Sequence, residues 1–190
     1  MVNDLMSSLA SSFVSNNIEK IAGSMGLPKD VTAKAVKVAL PAVMKQMSKN
    51  ASTEDGAASL FAALKDNDGS ALNDIEALAK DPDSANASGM LSHIFGDKQA
   101  DIEKEIAASA GVDASQAQSM LKVVAPMIMA KLGTEESAGN LDMGSMVSLL
   151  GKSDKWSFLL TGFLDKDGDG DIKDDLLNMG MDKLKNKFFG

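Results

Sequence analysis

IAGSMGLPKDVTAKAVKVALPAVMKQM, residues 21–47, aligns without a gap to IAASAGVDASQAQSMLKVVAPMIMAKL, residues 106–132, at a constant offset of 85. Eight positions are identical: Ile21/Ile106, Ala22/Ala107, Ser24/Ser109, Gly26/Gly111, Lys37/Lys122, Val38/Val123, Pro41/Pro126 and Met44/Met129. Most of the others pair apolar with apolar. Self-similarity at a fixed offset is the mark of a repeated supersecondary unit.

Physical chemistry explains which positions match. Gly26 and Gly111 each follow a helical pattern and precede an apolar residue, as expected where a helix ends in a left-handed residue without a Cβ. A second helix then starts near Asp30 and near Asp113, whose carboxylates suit the free amides of a first turn. Its apolar stripe runs through Val31, Ala35 and Val38 towards Pro41, and in the other copy through Met120, Val123, Val124 and Ile128. Pro41 and Pro126 fall inside these stripes, where each removes one backbone bond and bends the helix around its core. A shorter helix follows in each unit, over 53–65 and 142–151. The predicted fold is all-α, a duplicated helical unit forming two packed lobes, 1–80 and 90–190. Residues 81–89, DPDSANASG, are small, polar and rich in breakers, and read as the linker.

Composition supports helices. There is no Tyr, one Trp and four Pro in 190 residues, and no stretch alternates β-branched and aromatic residues as a strand would. The formal charge of −8 argues against nucleic acid, which needs clustered Lys and Arg. Without Cys there are no disulfides, catalytic thiolates or cysteine metal sites. Residues 1–20 lack a basic n-region and a contiguous apolar run. No run approaches the roughly 18 apolar residues of a membrane span. A soluble cytoplasmic protein is expected, with leaderless export left open.

The sharpest chemical signal is the segment 165–176, DKDGDGDIKDDL. Calcium is a hard cation that takes six to eight oxygen ligands. The D-x-D-x-D-G spacing offers Asp165, Asp167 and Asp169, a turn glycine at Gly170 and a carbonyl at Asp171. Ile172 is the apolar anchor. The flanks, 155–164 and 173–189, carry helical apolar periodicity, so the expected context is an EF-hand-like helix–loop–helix. Position twelve departs from that pattern, being Leu176 where a bidentate Glu is usual. Asp175 could close the cage from position eleven. An acidic helix-capping turn is the bland alternative, but carboxylates this dense repel one another unless a cation intervenes. The expected ligands are Asp165, Asp167, Asp169, Asp171 and Asp175. A partial copy, DNDGSALND at 66–74, places Asp66, Asp68 and Asp74 in the same alignment but has Leu64 in the first ligand position.

The G-L/V helix junctions, the Pro-containing helix, SKNASTEDGAASLFAALKDNDGSALNDI at 48–75 and LDKDGDGDIKDDL at 164–176 together resemble the YidB-like bacterial family of unknown function. The resemblance implies an all-helical bacterial protein and brings no activity or catalytic residue with it.

The remaining signals have ordinary structural explanations. His93, the only histidine, lies in MLSHIFG and reads as a helix-end or surface residue; a triad or zinc site would have to run through it. Met127, Met129, Met143 and Met146 are the densest methionine cluster, suited to core filling or to an adaptable groove. Lys183, Lys185 and Lys187 near the final Phe188 and Phe189 suit a helix C-terminus. Three functions remain in order: a non-catalytic interaction module with a structural or regulatory calcium site, a metal-free scaffold or self-assembling protein, and an enzyme. The partner would be another protein or a second copy of the chain.

Overall fold

Gly26 stops the first helix in the left-handed region at φ 64°, and Gly111 stops a later one at φ 71°. At both ends the next residue reaches back to close the turn: Leu27 N–H to Ala22 O at 3.0 Å, and Val112 N–H to Ala107 O at 3.1 Å. These are Schellman closures, which satisfy carbonyls that a helix end would otherwise leave unpaired. The computed structural model describes residues 17–67 and 69–151.

In chain order the helices of the described residues are α1 Ile18–Met25, α2 Lys29–Asn50, α3 Glu54–Lys65, α4 Ile75–Lys80, α5 Ala87–Phe95, α6 Gln99–Ala110, α7 Ala114–Ser137 and α8 Met143–Gly151. Short 3-10 turns occupy Ser70–Leu72, Pro82–Ala85 and Gly96–Lys98. There is no strand among the described residues, and no described helix is long and apolar enough to cross a membrane.

Side-chain caps set several boundaries. Asp113 accepts from Gln116 N–H at 2.8 Å while the Gln116 amide oxygen accepts from Asp113 N–H at 3.1 Å, a complete capping box. Thr53 caps α3 through Gly56 N–H, Asp74 caps α4 through Ala77 N–H, and the Asp142 carboxylate accepts from Ser145 N–H. The start expected near Asp30 comes a residue earlier. Pro28 occupies the N-cap position, so Asp30 sits in the first turn, where a negative charge faces the positive helix end. The buried Thr32 hydroxyl is satisfied by donating to Pro28 O.

The core is organised around α7. Residues 123–130 are buried without interruption, and α7 packs against α2, α3, α4, α5 and α6. Sequence periodicity predicts a stripe here; the helix instead buries every face of its middle turns. On α2 the buried line is Thr32, Ala35, Val36, Ala39, Leu40, Val43, Met44 and Met47, one position round from the predicted one, with Val31 and Val38 half-buried. Both helices continue through their prolines.

Two glycines allow close crossings. A Cβ on Gly56 would lie 1.9 Å from Asn50 O, and one on Gly133 would lie 2.4 Å from Asn67 O and 2.8 Å from Leu64 O. The first turn of α3 therefore rests on the end of α2, and α7 crosses the end of α3 at Gly133. Residues 81–89 contain the Pro82–Ala85 turn and the start of α5, both of which lie against α7.

Candidate functional site

The calcium ligands expected from sequence, Asp165, Asp167, Asp169, Asp171 and Asp175, lie outside the described residues, as do their flanking segments and the 183–189 ending. Among the described residues no group of three or more His, Cys, Asp or Glu side chains is placed to hold a metal ion.

The partial aspartate loop at 66–74 is described except at Asp68. Asp66 is exposed at the end of α3, and the Asp74 carboxylate is engaged with Ala77 N–H at 2.9 Å. Gly69, in the position of a metal-loop turn glycine, has φ 79°, and a Cβ there would meet Thr134 Oγ1 at 2.5 Å. Packing on α7 alone therefore accounts for a glycine at this position. The Thr134 hydroxyl in turn donates to Ala130 O at 2.8 Å.

Polar contacts tie the 82–85 turn to its neighbours. Lys122 Nζ lies 2.9 Å from Asp83 Oδ2, and Ser88 donates both its hydroxyl and its N–H to Asp83 Oδ1. The Ser88 hydroxyl first, then Lys122, hold the Asp83 carboxyl below its usual range. Across the molecule, Asn50 Nδ2 donates to Ile94 O at 2.9 Å and Gln46 Nε2 donates to Asn50 Oδ1 at 3.1 Å, joining the end of α2 to the end of α5.

Above that junction a cleft of about 170 Å³ opens between α3, α5 and α7. Leu60, Ile94 and Met129 form its buried surface. Met90 is half-buried and His93 exposed on the α5 side. Asn86 and Gly89 complete the rim; Asn86 takes a left-handed φ of 53°, and its amide fills the space a Cβ on Gly89 would need. Sequence reasoning missed this grouping. It placed His93 at a helix end and counted Met129 with Met127, Met143 and Met146, but Met127 and Met146 are fully buried and Met143 is 41% exposed. Only the M-x-x-H spacing of Met90 and His93, one turn apart on a helix, was legible beforehand.

The chain belongs to a family described as bacterial protein of unknown function (DUF937), whose model matches residues 7–135, in accord with the resemblance carried by its helix junctions. The matched span includes the cleft and stops short of the 165–175 loop. No curated protein and no solved structure matches the chain.

Proposed function

Since the family carries no assigned activity, we propose from the chemistry of this chain that it is a non-catalytic helical binding module with a structural or regulatory calcium site at residues 165–175. The single observation that carries this is the run of carboxylates at alternate positions, Asp165, Asp167 and Asp169, followed by Gly170 and the carbonyl of Asp171. Asp175 supplies the closing carboxylate in place of the longer Glu, which points to a weaker site than a complete loop. The all-α context described for residues 17–151 is compatible with an EF-hand-like arrangement.

The duplicated unit belongs to the same proposal. The α1–α2 and α6–α7 pairs share the offset of 85, a left-handed glycine at the junction and a proline inside the second helix, all features of two copies of one ancestral helix pair. Each copy would then present an equivalent lobe.

Isothermal titration of the full chain tests the calcium site. At least one site should appear, with magnesium much weaker because it dehydrates reluctantly and demands octahedral geometry. Asp167→Ala and Asp169→Ala should each abolish it. Unchanged heats in both variants would place the ion elsewhere, and no heat at all with the parent chain would falsify the proposal.

A further inference from the structure

We propose that Met90, His93 and Met129 form a binding site for a soft monovalent cation, copper(I) or its redox-inert analogue silver(I). The three side chains line one cleft. Met90 and His93 are separated by one helical turn on α5, which puts their Cβ atoms about 5–6 Å apart on a common face. Met129 comes from α7 opposite. His93 is exposed at the mouth of the cleft, and among the described residues no side chain forms an ion pair or hydrogen bond with its imidazole.

The donor set decides the class of ion. Two thioethers and an imidazole are soft or borderline ligands, and thioethers select copper(I) among the common metals. No carboxylate lines the cleft, so the oxygen ligands that calcium and magnesium require are missing, and zinc lacks the anionic ligands that normally neutralise it. A thioether or a coordinating imidazole adds no charge, which leaves a single positive charge to be taken from water, and the apolar walls formed by Leu60 and Ile94 tolerate that better than a divalent charge. The chain has no Cys, so no thiolate elsewhere competes. Exposure of His93 at the mouth and burial of Met129, 4% exposed, on the floor give the ion a way in and a shielded seat. This site is independent of the calcium loop.

The test is a silver(I) titration of the full chain, with methyl-labelled methionine and nitrogen-labelled histidine followed by NMR. One equivalent should move the Met90 and Met129 methyls and the His93 ring nitrogens before the other methionines respond. Met90→Leu, Met129→Leu and His93→Gln should each weaken binding by roughly tenfold or more, the scale of loss that even outer-shell partners of a metal cause. Met143→Leu, which alters an exposed thioether outside the cleft, should leave affinity unchanged. Leu replaces Met with little change in volume, and circular dichroism should show each variant folded. Copper(I), delivered anaerobically against a chromogenic chelator, should show the same ranking. Parent-like affinity in all three cleft variants, or silver spread over exposed methionines at more than one equivalent, overturns the site.

Discussion

Asp113 and Gln116 close a reciprocal pair of hydrogen bonds at the start of α7. Asp113→Ala should therefore cost about 1 kcal/mol of folding stability, measured by urea unfolding, with no change in the slope of the transition. The glycines divide by surroundings. A methyl on Gly133 would meet the backbone oxygens of Asn67 and Leu64, which cannot move without shifting the end of α3. Gly133→Ala should destabilise by about 1–3 kcal/mol, the range for overpacked sites. Gly23 lies inside α1, exposed, with nothing near it, so Gly23→Ala should gain about 0.5–1 kcal/mol from helix propensity alone. A thermal melt of the two variants gives opposite signs if these contacts are real. At this scale the sequence was readable where a residue acts on its own backbone, as Gly26, Gly111 and Asp113 do. Gly69 was read as part of a metal loop because the neighbour that also demands a glycine, Thr134, is 65 positions away.

Among the elements, α3 and α8 fall on the ranges expected for the shorter helices, 53–65 and 142–151, while α7 was underestimated. Its run VVAPMIMA, 123–130, contains no polar residue, and periodicity cannot distinguish a stripe from a helix enclosed on all sides when every position is apolar. The small and breaker-rich DPDSANASG was read as a linker for a related reason. The same residues that suit an exposed connection also build caps and tight turns, and here Asp83 receives Ser88 and Lys122. Among the described residues four carboxyls are held below the ordinary range: Glu19 by Lys29, Asp83 by Ser88 and Lys122, Glu135 chiefly by Lys131, and Asp142 chiefly by Ser145 N–H. A carboxyl depressed in the folded state contributes stability that is complete above its unfolded value of about 4 and is lost as pH falls through the folded value. Urea midpoints should stay level from about pH 7 to about pH 5 and decline below about pH 4. Asp83→Asn should make that acid decline shallower, and an equally steep one would remove Asp83 from the account.

At the scale of the molecule, the all-α class of the described residues and the family were legible in composition and junctions, whereas the cleft was not, because Met90, His93 and Met129 come to line one cleft only through the packing of α5 on α7. If calcium occupies 165–175, its binding free energy adds to the stability of whatever it orders. Hydrogen exchange should then show protection gained over residues 155–189 and little change over residues 18–80. Equal gains throughout would mean a single cooperative unit and no separate lobes. The slowest amides of all should belong to residues 123–130, which open only when the entire core does. The position of that helix in the chain also has a consequence for synthesis. The five helices that dock on it, α2 to α6, all precede it, so a growing polypeptide that ends before residue 114 leaves exposed the faces they turn to α7. At bacterial translation rates of about 5–20 residues per second, these faces wait several seconds for α7 to leave the ribosome. Nascent chains stalled near residue 110 should be cut rapidly by protease and bound by chaperones, and those stalled beyond about residue 180, with α7 clear of the exit tunnel, should resist.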